Sequence, residues 1–169
     1  MRESASVQLQ RSFGCWSNIV KVANILAVKG SAVVTIGPTE TIAALSQRLR
    51  EKHIGAAIVS SDGQTVDGVI SERDIAYALC VHKADLHAMP VSALMTKAVI
   101  TCSANDSIGI VASTMMSRNI RHLPVKEGDR LVGMVSIRDV LNLRLDELQR
   151  ETGLLRAFAS HVDREPHDR

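Results

Sequence analysis

The chain states one short motif twice. Gly68-Val69-Ile70-Ser71-Glu72-Arg73-Asp74 returns as Gly133-Met134-Val135-Ser136-Ile137-Arg138-Asp139. Each copy follows a short apolar run and leads into a stretch with helical spacing. The same motif in the same context, repeated inside one chain, implies two copies of one supersecondary unit. The correspondence extends upstream. Val33-Val34-Thr35 matches Val99-Ile100-Thr101, and Thr39-Glu40-Thr41-Ile42 matches Asn105-Asp106-Ser107-Ile108. Gly55-Ala56-Ala57-Ile58-Val59 matches Arg121-His122-Leu123-Pro124-Val125. The spacing is constant over these pairs and shortens by one residue at the motif. The loss falls between Val125 and Gly133, in the segment holding Gly128, the counterpart of Gly63. A hairpin turn is where a one-residue indel costs least.

Periodicity places the elements. Ile19, Val22, Ala23 and Leu26 predict a short amphipathic helix over 18–28, closed by Gly30. Ala32–Ile36 reads as a strand, ended by Gly37-Pro38. Thr39 is expected to cap a helix with Ile42, Leu45 and Leu49 on one face. Ala56–Val59 and Val66–Ile70 are strands around Ser61-Asp62-Gly63. Ser71 caps a second helix that buries Ile75, Ala78 and Leu79. The second half repeats this order: a strand at Ala98–Thr101, a helix from Asp106 to Arg118 with Ile108, Val111 and Met115 inward, strands at His122–Val125 and Leu131–Val135, and a helix after Ser136. Pro124 predicts an edge strand, because it cannot donate to a ladder. The last helix is long, its leucines Leu141, Leu145 and Leu148 continuing into Leu154, Leu155 and Phe158.

Composition narrows the class. The 169 residues are 46% hydrophobic but only 2% aromatic, so Val, Ile, Leu, Ala and Met must fill the core. Few aromatics and a net charge of +2 argue against single-stranded nucleic-acid binding, which needs stacking platforms, and no other nucleic-acid partner is indicated. No segment reaches the about 18 uncharged apolar residues of a membrane span. No apolar run follows Met1, so no secretory signal is expected. Cys15, Cys80 and Cys102 make no CxxC pair and read as reduced thiols. The expected compartment is the cytoplasm.

Ser71 with Asp74, and Ser136 with Asp139, outline capping boxes at strand-to-helix junctions. Capping explains the Ser and the Asp but not Arg73 and Arg138, which sit badly in a first helical turn. A ligand explains all of them. Free N–H groups at a helix start attract phosphate, an adjacent Arg clamps its oxygens, and a nearby Asp accepts from both hydroxyls of a ribose. Apolar strand residues then sandwich a flat base. The combination describes an adenine nucleotide. No nucleophile–base–orienter set, P-loop or HExxH emerges, so no catalytic residue is assigned. Cys80, His82, Asp85 and His87 read as a solvated loop and no metal site is expected. Ser160, His161 and Asp163 are too close along a helix to face one another.

The doubled β-α-β-β-α unit, its pattern of Gly, two apolar residues, Ser, two variable residues and Asp, and the Arg121–Val125 strand resemble a tandem pair of CBS domains, a Bateman module. The likeness covers about residues 18–148 and is closest to stand-alone bacterial CBS-pair proteins. It implies an α/β (α+β) fold of two repeats packed sheet to sheet with pseudo-two-fold symmetry. The implied layout is an arm at 1–17, repeats at 18–81 and 94–148, a linker at 82–93, and a C-terminal extension at 149–169. It implies adenosyl ligands (AMP, ADP, ATP, NAD or S-adenosylmethionine) as regulatory ligands, with no cofactor required. By motif position, Ser71, Arg73 and Asp74 share one cleft with Thr35, Gly55 and Ala56. Ser136, Arg138 and Asp139 share the other with Ile100, Thr101, Arg121 and His122. Asp74 and Asp139 would hold ribose hydroxyls. Glu72 is expected to weaken the first cleft, where the second copy has Ile137.

The expected role is a non-enzymatic adenine-nucleotide sensor, a homodimer acting on a regulated protein that the sequence does not name. Two alternatives stay open: an enzyme using bound NAD or S-adenosylmethionine, and a ligand-free dimerisation module.

Overall fold

The computed structural model describes residues 20–162. The arm expected over 1–17, Cys15, and the polar tail from Asp163 lie outside the described residues. In chain order the elements are α1 (Val22–Lys29), β1 (Thr35–Ile36), α2 (Ile42–Lys52), β2 (Ala56–Val59), β3 (Gly68–Ser71), α3 (Glu72–His82), two 3-10 turns (Lys83–Ala88 and Val91–Ala93), α4 (Ile108–Ser117), β4 (His122–Glu127), β5 (Arg130–Ser136) and α5 (Ile137–Val162). This is an α+β chain with two small sheets. In the first, β1 runs parallel to β2 and β2 antiparallel to β3. In the second, β4 and β5 form an antiparallel pair. Among the described residues no helix is long and apolar enough to cross a membrane.

Both repeat-opening helices start later than their polar signals suggest. Thr41, not Thr39, caps α2, its Oγ1 accepting from the Ala44 N–H at 3.2 Å. Thr39 and Glu40 are spent in a turn: the Glu40 carboxylate accepts from the Gly37 N–H at 2.8 Å and pairs with Arg48 at 2.7 Å. The second copy does the same. Asp106 accepts from the Ser103 N–H at 2.8 Å, and Ser107 caps α4 by accepting from Ile110 N–H at 3.3 Å. A carboxylate so placed closes the turn before a helix instead of joining its first turn.

The strand expected at 98–101 does not form, and a single parallel bridge, Cys102 with Val125, stands just beyond it. In the first repeat, Ile58 N–H donates to Val34 O at 3.2 Å. The residue corresponding to Ile58 is Pro124, which has no N–H, so the ladder cannot form opposite Ile100. Leu79 is also corrected: it lies 57% exposed, while Ala78 is buried and Ile75 half-buried. α3 therefore turns only a narrow stripe inward.

The core consists of two aliphatic clusters. One holds Ile36, Leu45, Ala57, Val59 and Ile70; the other holds Val111, Met115, Leu123, Val125 and Val135. Their membership cuts across the repeats. Val22 and Ile25 of α1, at the start of the chain, belong to the second cluster. Leu86 and Val91, from the segment read as a linker, belong to the first. Matching hydrogen bonds fix both arms. Val22 N–H donates to Asp106 O at 3.0 Å and Ile108 N–H to Val20 O at 3.0 Å; Val91 N–H donates to Glu40 O at 2.8 Å and Ile42 N–H to Met89 O at 2.9 Å. Each half thus binds the segment that precedes the other.

This exchange explains the leading glycine of the motif. A Cβ on Gly133 would stand 2.7 Å from Leu26 Cδ2 of α1. A Cβ on Gly68 would stand 2.6 Å from Met95 Sδ and 3.1 Å from Thr96 O. Thr96 crosses there because it exchanges hydrogen bonds with Val69 at 3.0 and 2.9 Å. Glycine is needed where another backbone passes this close.

Candidate functional site: two clefts between the repeats

Antiparallel pairing sets Ala56 opposite Ser71 and His122 opposite Ser136. The start of each middle strand therefore lies beside the start of the following helix. Glu72 N–H donates to Gly55 O at 3.0 Å, and Ile137 N–H to Arg121 O at 2.9 Å. In both repeats the aspartate closes on its serine. Asp74 Oδ2 accepts from Ser71 N–H and O–H, each at 2.7 Å. Asp139 Oδ2 accepts from the Ser136 N–H at 2.7 Å and its O–H at 2.8 Å. These contacts make the cap expected from the sequence, and they also fix the carboxylate. One oxygen is occupied, while Oδ1 of each aspartate has no partner among the described residues.

Two clefts open over these helix starts. The first, of about 180 Å³, brings Ser71, Arg73 and Asp74 together with Ile100, Asn119, Ile120, Arg121 and His122. Arg73 reaches across to Asn119 O at 3.4 Å. The second, of about 520 Å³, brings Ser136, Arg138 and Asp139 together with Arg50, His53, Ile54, Gly55, Ala56, Glu72, Arg121 and His122. The expected partition holds only in part: Arg121 and His122 line both clefts, while Ile100 joins the first motif and Gly55 and Ala56 join the second. Thr35 and Thr101 line neither cleft, and Thr35 O instead accepts from Arg48 at 2.8 Å. Glu72 is also reassigned. It lines the second cleft, because successive helical residues diverge by about 100° and Glu72 points away from Arg73. The charge expected to weaken the first cleft lies in the other.

Several lining residues carried no recognised motif. His53 and Asn119 occupy corresponding places after α2 and α4 with φ of 52° and 53°. Both end a helix in the left-handed region, which Asn tolerates better than most residues. Lys29 enters the second cleft from the end of α1. Its Nζ lies 2.7 Å from Asp139 Oδ2 and 3.3 Å from Met134 O. Burial pushes the Asp139 carboxyl up, but Lys29 and the Ser136 donors outweigh it and leave the group below its ordinary value. Burial, and then the charges of Arg121 and Lys29, push His122 down. Among the described residues no group of three or more His, Cys, Asp or Glu side chains is arranged to hold a metal.

The CBS domain profile matches residues 27–81 and 91–146, and the chain belongs to the CBS-domain family. An uncharacterized 17.7 kDa protein of Acidianus ambivalens is 33% identical over 127 residues, spanning 75% of this chain and 74% of its own length. The crystal structure of a CBS-domain containing protein from Agrobacterium tumefaciens superposes with a TM-score of 0.71 at 36% identity, over 74% of this chain and 99% of that one. A CBS domain pair solved in complex with 5'-methylthioadenosine and S-adenosyl-L-methionine superposes with a TM-score of 0.68 at 25% identity, over 76% and 98% of the two chains.

Proposed function

We propose that the chain is a regulatory module without chemistry of its own, binding an adenosine-containing ligand between its repeats. AMP, ADP, ATP, NAD and S-adenosylmethionine are the ligands considered. The observation that carries this reading is the doubled carboxylate, capped through Oδ2, with Oδ1 left for ribose hydroxyls and an arginine one residue before it. The similar pair that holds two adenosyl compounds supports it. Binding across both repeats favours the conformation in which the clefts fit the ligand, by no more than its differential affinity for the two states. The response passes to a regulated protein in the cytoplasm. Exposed Leu141, Leu145 and Leu148 along α5 support a homodimer in which matching stripes cover each other. Calorimetry and thermal shift with the five ligands test the reading. Binding of at least one is expected; no heat and no shift with any of them at millimolar concentration refutes it. Light scattering on the same samples tests the dimer.

A further inference from the structure

Alike in motif, the two clefts differ in the resting state of their aspartates. Asp74 and Asp139 receive the same two donors from their serines. Asp139 receives a third, the Lys29 ammonium at 2.7 Å, whereas Asp74 has no ion pair among the described residues. We propose that Lys29 determines specificity in the second cleft, acting as a latch that disfavours neutral adenosine and admits nucleotides carrying phosphate. This inference rests on the adenosyl-ligand reading.

The argument follows from the competition for Asp139. A ribose hydroxyl that donates to the free Oδ1 meets a carboxylate whose charge is already shared with Lys29 through Oδ2, and is held more weakly while the ion pair stays closed. Adenosine offers the Lys29 ammonium no other anion to move to. A phosphate chain offers it a new anion, in a cleft also lined by Arg50, Arg121 and Arg138. Glu72, which also lines this cleft, repels a poorly neutralised anion and so increases the dependence on Lys29. The geometry permits the exchange. The α1 backbone is docked in the second core, but the Lys29 side chain is 42% exposed against 18% for Asp139, so the lysine is the partner able to move. Lysine is a mobile point charge on a four-carbon stem, suited to changing partners.

The test is calorimetry on the full chain in an Asp74→Ala background, which isolates the second cleft, titrating adenosine and ATP separately. Lys29→Met keeps the stem and removes the charge. Adenosine affinity should rise about two- to fivefold, the worth of a partly exposed ion pair. ATP affinity should fall about tenfold, the worth of one charge-assisted contact. Lys29→Arg should retain the preference for ATP and guards against a merely misfolded Met variant. Unchanged ATP-to-adenosine selectivity in Lys29→Met, or parallel losses for both ligands, overturns the latch. Failure of the wild-type chain to bind any adenosyl ligand overturns the underlying reading instead, and the latch falls with it.

Discussion

Replacing Gly68 by Ala tests whether the exchanged segment is held against the motif. Gly68 has no positive φ, so alanine introduces no backbone strain. Restricting the unfolded chain would stabilise by about 0.4–1 kcal/mol. Against this stands the new methyl, 2.6 Å from Met95 Sδ, 3.0 Å from Met95 Cγ and 3.1 Å from Thr96 O. The sulfur can swing aside. The carbonyl cannot, because Thr96 is tied to Val69 in both directions. Overpacking of this kind costs about 1–3 kcal/mol, so Gly68→Ala should be destabilising by about 1–2 kcal/mol net. Gly133→Ala is the internal comparison. Its methyl meets only the Leu26 side chain, at 2.7 and 3.1 Å, and a flexible neighbour yields more cheaply. Urea denaturation should give the lower midpoint for Gly68→Ala, with an unchanged slope. Met95→Ala added to Gly68→Ala should recover part of the loss beyond additivity. A neutral Gly68→Ala, or Gly133→Ala the worse of the two, would refute the close crossing at Thr96.

Three further outcomes are expected. Asp74→Ala and Asp139→Ala should each weaken adenosyl binding in their own cleft by about tenfold to a hundredfold in calorimetry, the cost of a lost charge-assisted hydrogen bond. His122 is held below its ordinary 6.5, so the folded chain binds fewer protons there than the unfolded one. Stability from the neutral ring is complete above pH 6.5 and is lost as pH falls through the folded value, so His122→Gln should flatten the fall of Tm below pH 6.5 and leave the profile above it unchanged. Burial pushes the Cys102 thiol up to about 12, whereas Cys80 is exposed. Peptide mapping after brief iodoacetamide treatment at neutral pH should find Cys80 alkylated and Cys102 intact until the chain is unfolded.

What could be read in the sequence was local. Ile42, Leu45 and Leu49 on α2, and Ile108, Val111 and Met115 on α4, share a face by helical spacing alone, and all six are buried. The alternation into β3 and β5 is equally local. Other features depended on a partner far along the chain. The strand opposite Pro124 fails because of an N–H missing across the sheet, which no property of residues 98–101 announces. Val91 reads as a linker valine until the groove beside Glu40 is known. At the site, the Ser-Asp cap was legible because both groups lie within one helical turn. Lys29 was not, since nothing in a short helix near the start of the chain indicates a carboxylate in the second motif. The direction of Glu72 is not legible there, because a linear motif does not show which side of the helix each residue faces.

The crossed arms also separate what was duplicated from what folds. A chain with one repeat and one preceding arm would carry both a groove at its motif glycine and a segment shaped for such a groove. If its short connection kept the two apart, as it does in each half here, it could fill the groove only with the arm of a second copy. Two copies would then clasp reciprocally, and a fusion placed end to end would convert that mutual grip into an internal one. Severed between His82 and Lys83, ahead of the second arm, this chain should therefore not yield two independent domains. Its halves should find each other again, or, supplied singly, pair with themselves.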